Sequence, residues 1–472
     1  MTTTNMDFTS PGPRITGRRH GAWLLEAREL LRLAIPLAAT QLAQMAILAT
    51  DTLMLGHLNP AALAAAALAN TVFFFCWLLG TGPANAVSAM VAHAVGASRA
   101  HHMGVRAATR MGLWSAALMV PPLLCVLLLT RPILLALGQQ PALAADAGRY
   151  MSTLCLGLPF ALVFQVQRNF ATSVSRPLAP MLVMGLAVLF NAAGDYTLIF
   201  GHFGAPRLGL PGAGLASACS NLFSVSAMGA VILATPALRR FRITRRLLRP
   251  DWGRLKEVFR LGTPIGLTTI FEVMLFNSAT LEMGLLGTAS LAAHQIAITI
   301  PSLTFMVPLG IGLAATVRVG LAAGAGDRAA ARRAGFTAMA IAALFMAFMS
   351  VLLIAFPRAI AQAWIPAGHD DVIALTVSFL HVAAAFQIVD GLQVTAAMAL
   401  RGLKDARAPM WIAGASYWLA GFPVCIALGF GLHWAGLGIW IGLAFGLLVA
   451  AVALGWRFAW LSKINRSRAP AR

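Results

Sequence analysis

Five carboxylates interrupt apolar stretches that are otherwise nearly free of charge: Asp51, Asp195, Glu272, Glu282 and Asp390. The remaining acids fall in tails, polar connections or the ends of apolar runs. An ionised carboxylate at the centre of a bilayer costs about 2.5–3.5 kcal/mol even on the lenient insertion scale, so such groups face a bundle interior or a wet cavity. The chemistry open to them is the binding of positive charge: a proton, Na+ or an organic cation. A cavity that takes two of these in turn is a coupled antiporter. Asn191 stands one helical turn before Asp195 on the same face. That pair is a candidate ion or substrate site, set against the plainer reading of a structural hydrogen bond. Glu272 and Asp390 lie deep in their runs. Glu282 lies near the end of the same run as Glu272, where a solvated rim charge is the plainer reading.

Other side chains carry weaker signals. His294 and Gln295 form an Ala-Ala-His-Gln step inside an apolar run, and a packing hydrogen bond explains the histidine better than a proton relay. They are kept as candidates for the substrate cavity or its support, with Gln44, Glu282 and Phe386. Arg168 and Arg318 lie toward the ends of their runs and could snorkel to the interface. The cysteines sit singly in apolar runs with no CxxC, as core residues do. No HExxH, phosphate-binding loop or nucleophile elbow is present. The chain therefore reads as no enzyme, with no cofactor and no structural metal. Its coupling ion is H+ or Na+, the latter at Glu272 and Asp390.

The elements that must hold these residues are membrane helices. The chain has 472 residues, 59% hydrophobic and 11% charged, against about 25% charged in soluble domains. Twelve apolar runs long enough to cross a bilayer are expected at 31–56, 61–92, 105–129, 149–172, 178–200, 209–235, 260–285, 289–318, 335–356, 372–399, 409–431 and 434–460. The fold class is thus an all-α integral membrane protein. The net charge of +20 reflects topology and contact with membrane lipids, not nucleic acid. Basic residues crowd every second connection: Arg99, Arg106 and Arg110 after the second run, Arg328, Arg332 and Arg333 after the eighth, Arg401, Lys404 and Arg407 after the tenth. The alternate connections hold at most one each, Arg131, Arg207 or Arg358. That asymmetry places both termini in the cytoplasm. The tail over 1–30 is expected to be disordered in its first part and carries no cleavable signal.

The chain is also written twice. Arg32–Thr71 lies over Arg260–Thr299 without a gap, with Pro36, Thr40, Thr52, Gly56, Leu63 and Thr71 among the positions matched by identical residues 228 places on. Asp51 falls opposite Ala279, and Glu272 opposite Gln44. Similar scaffolds with unlike acids suggest two lobes around a shared cavity. The expected lobes are 31–235 and 259–461, joined by a basic connection at 236–258 and followed by a tail at 462–472. Six spans per copy make them parallel repeats about an axis along the membrane normal.

Several segments together carry a family resemblance: TDTLMLG at 50–56, FEVMLF around Glu272, AAHQ at 292–295, VRVG at 317–320, FQIVDGLQV around Asp390 and LRGLKD at 400–405. They resemble the multidrug and toxic compound extrusion family of secondary transporters, in its NorM-like bacterial branch. The resemblance implies two six-helix lobes forming a V in the bacterial inner membrane. It implies export of cationic, amphipathic drugs by a monomer, in exchange for H+ or Na+. It carries ion-coupling roles over to Asp51, Glu272 and Asp390. Two positions depart from the NorM-like pattern. Phe386 stands where Tyr is common, one turn before Asp390, so that oxygen is missing from a Na+ site. The Asn191/Asp195 pair looks like that of proton-coupled relatives, which tilts the ion toward H+. A flippase of related fold, for lipid-linked saccharides, is the alternative; it would line its cavity with Arg or Lys where this chain offers acids.

Overall fold

The computed structural model describes residues 19–97, 101–365 and 369–463. With no water to satisfy an open backbone inside lipid, the apolar runs must close their hydrogen bonds within themselves as helices. Twelve of the described helices are long and apolar enough to cross a membrane. They are α1 (Arg19–Leu58), α2 (Pro60–Gly96), α3 (His101–Leu128), α4 (Pro141–Ser173), α5 (Leu178–Phe200) and α6 (Leu210–Ala234). The second set is α7 (Trp252–Leu285), α8 (Thr288–Gly324), α9 (Arg328–Ala355), α10 (Asp370–Gly402), α11 (Arg407–Gly431) and α12 (Ala435–Lys463). Large apolar side chains such as Leu344 and Leu419 point outward, 74% and 79% exposed, as lipid-facing residues do.

The helices form two lobes of six, α1–α6 and α7–α12, related by a pseudo-twofold axis. Local devices repeat with them. Thr40 donates to the Pro36 carbonyl at 2.8 Å, and its partner Thr268 to the Pro264 carbonyl at 2.7 Å. Each hydroxyl bonds back by one turn, where proline sits within the ladder. Starts are capped by short polar side chains. Asn59 accepts from the Ala62 amide at 2.6 Å and Asp327 from the Ala330 amide at 2.8 Å.

Several elements differ from the sequence-based expectation. The tail expected over 1–30 lies outside the described residues as far as 18; from Arg19 the chain is already helical. Charged residues there do not stop the helix, because its first turns project beyond the apolar stretch. The tail expected over 462–472 is described only at Ser462 and Lys463, which end α12. The fourth span begins earlier, at Pro141, and passes through a 3-10 turn at Cys155–Gly157, next to Pro159. The eleventh is α-helical at both Arg407–Gly414 and Phe422–Ile426, with π-helical turns at Ala415–Gly421 and Ala427–Gly431. Pro423 lacks the amide that a regular ladder needs there. The basic connection is not a plain linker either: Leu238, Phe241 and Ile243 are buried in the first lobe.

The lobes meet through α1 and α2 of one and α7 and α8 of the other. Their contacts lie at mid-helix and toward the helix ends that carry the crowded basic residues, here termed the basic side. A Cβ on Gly262 of α7 would stand 2.3 Å from the Pro83 Cα of α2, and one on Gly310 of α8 would stand 2.5 Å from the Ala38 amide nitrogen of α1. The backbones touch because no side chain intervenes. Nearer the basic ends, the Arg318 guanidinium donates to both Glu26 oxygens at 2.8 and 2.7 Å, and His93 Nε2 lies 2.8 Å from the Gly402 carbonyl. Arg318 therefore does not snorkel: the early start of α1 brings Glu26 on a helix to meet it. At the opposite ends, a Cβ on Gly284 or Gly287 would meet nothing within 4 Å. Gly310→Val should weaken this seam by about 1–3 kcal/mol, the usual cost of overpacking. Cysteines at Ala38 and Ile311 should then cross-link less efficiently in the variant than in the parent; equal cross-linking would refute a close-packed seam.

Candidate functional site

Within the first lobe, α1 carries Asp51, α5 carries Asn191 and Asp195, and α6 carries Ser217. All four are buried: Asp51 is 6% exposed, Asn191 and Asp195 0%. Small residues allow this approach, since Gly194 on α5 lies against Ala216 on α6. Ser217 Oγ donates to Asp51 Oδ2 at 2.9 Å. Asp51 also faces Asp195 and Asn191. Asn191 stands within reach of Asp51, but no protein hydrogen bond is completed at Asp51 Oδ1 or at either Asp195 oxygen. The Tyr150 phenol lies nearby and is turned to Asn70, at 3.4 Å. Two carboxylates facing each other in a dry interior cannot both stay ionised without a positive charge between them. The arrangement is therefore built to take up a proton or a small cation.

The second lobe holds a different constellation. Asp390 on α10 is 5% exposed, while Glu272 on α7 is half-buried. The two carboxylates interact, and Arg401 and Tyr417 stand within electrostatic range of Glu272. Tyr417 is fully buried, with its hydroxyl beside Gln393 but completing no hydrogen bond there. Arg401, expected in the connection after the tenth span, belongs to the last turn of α10 and turns inward. The π-helical turns of α11 re-aim Tyr417 toward the acids, as such turns do at many functional sites.

The remaining candidates fall elsewhere. Phe386 is 1% exposed and packs edge-on against Phe276 and Trp440, at 5.9 and 6.0 Å between ring centroids. His294 lies against Trp440, its Nε2 3.1 Å from the Thr280 hydroxyl. Gln295 is exposed. Glu282 is not a solvated rim charge: it is 6% exposed, near Cys425, with no donor to either oxygen. It lies ten residues beyond Glu272 on α7, about 15 Å along the axis, and so belongs to neither constellation. Gln44 supports Arg168, which donates to Gln41 and Gln44 at 2.9 and 3.1 Å. Arg168 is 4% exposed and does not snorkel, because these amides accept its protons inside the lobe. The polar run Gln165, Gln167, Arg168, Asn169 inside the fourth span could have signalled this network. Gln165 donates to Asn85 at 2.7 Å, and Asn169 donates to the Ala84 carbonyl at 2.8 Å. Nothing in the sequence alone ties Tyr417 to Glu272, for they are far apart in the chain and no motif links them.

The chain matches the MatE family model over residues 36–197 and 264–427. The two matches begin on Pro36 and Pro264, which are repeat partners. It is 42% identical to the probable multidrug resistance protein NorM of Mesorhizobium japonicum, over 93% of this chain and 95% of that one. It is 41% identical to that of Rhizobium meliloti, over 98% and 99%. Among solved structures, the eukaryotic MATE transporter AtDTX14 superposes with a TM-score of 0.82 at 24% identity, covering 94% of this chain and 99% of that one. A point mutant of the Vibrio cholerae MATE transporter VcmN gives 0.84 at 17%, covering 94% and 99%. With a family match in both repeats, close relatives along nearly the whole chain and the same twelve-helix architecture, this protein belongs to the MatE family of multidrug and toxic compound extrusion transporters, in its NorM-like branch, and is not an enzyme.

Proposed function

We propose that this protein is a secondary active multidrug antiporter of the bacterial inner membrane. It exports cationic, amphipathic compounds in exchange for H+, with Na+ the alternative ion. The observation that carries the reading is the Asp51–Asp195 pair, buried face to face with no protein hydrogen bond completed at three of its four oxygens. By the basic bias of alternate connections the basic side faces the cytoplasm, and both termini lie there. The lobes are then 31–235 and 259–461, joined through the basic connection at 236–258. The contacts between the lobes, Gly262 on Pro83, Gly310 on Ala38 and Arg318 on Glu26, lie at mid-helix and toward the basic side, which corresponds to an outward-facing state.

In this state, protons entering from outside neutralise Asp51 and Asp195 in one lobe and Glu272 and Asp390 in the other. The cavity loses its hold on a cationic drug, which leaves outward. Once the lobes rock inward the acids release their protons, and the next cation binds. Only a difference in ion affinity between the two states can drive the switch. The monomer needs no cofactor. Glu272 alternates between Arg401 and the incoming cation.

Two observations favour H+ over Na+. Phe386 offers no oxygen beside Asp390, being locked among aromatic rings. The first-lobe pair can share a single proton without a coordination shell. In proteoliposomes, an imposed pH gradient should drive efflux of a cationic dye, and an imposed Na+ gradient at equal pH should not. The reverse result would make Na+ the ion. Dye movement indifferent to both gradients would reject antiport. Tyr417→Phe removes the unpartnered phenol oxygen next to Glu272 and Asp390. Efflux driven by the pH gradient should then change by less than about threefold, no more than the net worth of one weak hydrogen bond. A Na+-coupled protein would lose a candidate oxygen ligand and need more Na+ to reach half-maximal efflux.

A further inference from the structure

The basic connection between α6 and α7 is a folded element. Phe241 packs edge-on against Phe170 at 5.7 Å in the first lobe. Three side chains of α3 hold its backbone. Arg106 donates to the Phe241 carbonyl at 3.1 Å, Arg110 to the Arg246 carbonyl at 3.3 Å, and Trp114 to the Leu247 carbonyl at 2.8 Å. The result is an ordered concentration of like charge: Arg106 stands within electrostatic range of Arg110, Arg242, Arg245 and Arg246. Among the ion pairs of the described residues, none offers a carboxylate to Arg239, Arg242, Arg245 or Arg246. Asp251 turns to Arg254, and Glu257 to Lys404.

Beside these arginines is a cavity of about 310 Å³. Its walls are of two kinds: Arg239, Arg242 and Arg245 on one hand, Ile232, Leu233 and Leu238 on the other. Leu233, at the end of α6, is 57% exposed. On the same connection Leu248 is 86% exposed and Trp252, at the start of α7, is 66% exposed. A soluble anion would use the arginines and leave the exposed Leu233 and Leu248 unexplained. A phosphate diester with acyl chains uses both.

We propose that this cavity binds the headgroup of an anionic phospholipid, with Arg239, Arg242 and Arg245 on the phosphate and an acyl chain running along the exposed Leu233. Guanidinium groups match phosphate oxygens by paired hydrogen bonds. The lipid supplies the negative charge that the cluster lacks. The site is independent of the ion-coupling acids, and it would stand whichever ion drives transport.

The test uses the purified full chain in detergent, with lipid retention read by native mass spectrometry. Phosphatidylglycerol should be retained and phosphatidylcholine of the same chain length should not. The double variant Arg242→Gln/Arg245→Gln should weaken phosphatidylglycerol binding roughly 30-fold, from the usual worth of two arginines near an anionic surface. Arg332→Gln/Arg333→Gln, on the basic first turns of α9, should leave it unchanged. Equal retention of the two lipids would overturn the proposal, as would a double variant that binds like the parent. Displacement of the lipid by millimolar inorganic phosphate would reassign the cavity to a soluble anion. Should the double variant not fold, salt decides on the parent protein. Binding that weakens steeply between low and high ionic strength supports the site, and binding indifferent to salt overturns it.

Discussion

Asp51→Asn and Asp195→Asn should each lower ion-driven efflux roughly 100-fold, near the upper end of ordinary coupling free energies. The carboxamide keeps the shape of the side chain and still accepts a hydrogen bond from Ser217. What it loses is the capacity to gain and release a proton. Because Asp51 and Asp195 face each other, removing either leaves the other without the repulsion that makes proton uptake responsive to the state of the lobes. Binding of a cationic drug to the purified variant should weaken, as protonation of the same acid would weaken it, and its melting temperature should not fall, since a buried charge has been replaced by a neutral group. Glu272→Gln and Asp390→Asn should behave alike in the second lobe. Ser217→Ala is the graded control: it deletes one hydrogen bond to a carboxylate, worth about 1.5–3 kcal/mol. Efflux measured in proteoliposomes for all five variants separates the roles. An acid whose neutral variant still couples drug export to the ion gradient has no part in the mechanism.

Arg318→Gln should open the seam between the lobes. The pair it breaks is bidentate, with Glu26 9% and Arg318 27% exposed, so solvent screens it little. Charge-assisted hydrogen bonds of this kind contribute about 1.5–3 kcal/mol. That moves the ratio of closed to open states by about 10- to 100-fold. The effect falls on one state only, because Glu26 and Arg318 belong to different lobes and part when the basic side opens. Spin labels at Ala97 and Ala325, at the basic ends of α2 and α8, should report a longer distance in the variant. Glu26→Gln should do the same, and the charge swap Glu26→Arg/Arg318→Glu should restore the short distance in part. His93 and the Gly402 carbonyl still tie the lobes, so the shift will be partial. An unchanged distance in both single variants would mean that the pair decorates the seam without holding it.

Much of this architecture can be read from the chain because membrane folding leaves few alternatives. A run of twenty apolar residues has one stable form in lipid, so the spans appear in the sequence nearly where the structure has them. The ends were less legible. Glu26 reads as part of a polar tail, but a helix beginning at Arg19 carries it to Arg318. Arg168 reads as an interfacial charge because it lies toward the end of its run, and Arg401 reads as part of the connection after the tenth run. Only packing shows that Gln41 and Gln44 receive one and that Glu272 attracts the other. Glu282 reads as a rim charge by its position in the run, yet α11 and α12 cover it; Cys425 of α11 lies beside it and the Ile439 carbonyl of α12 beyond.

What the sequence determined by itself is the kind of residue that can bind positive charge, the number of spans that carry those residues, and the doubling of the scaffold. All three follow from the cost of burying charge and from identity at a constant offset, which need no coordinates. Tertiary structure decided which acids share a site. Asp51 meets Asp195 across 144 residues, and Asp390 meets Glu272 across 118, because helix rotation and lobe packing choose the facing side of each span. It decided as well that the lobes close on the basic side. Closure depends on glycine contacts, one ion pair and a histidine, none of which is distinguishable in sequence from ordinary helix packing.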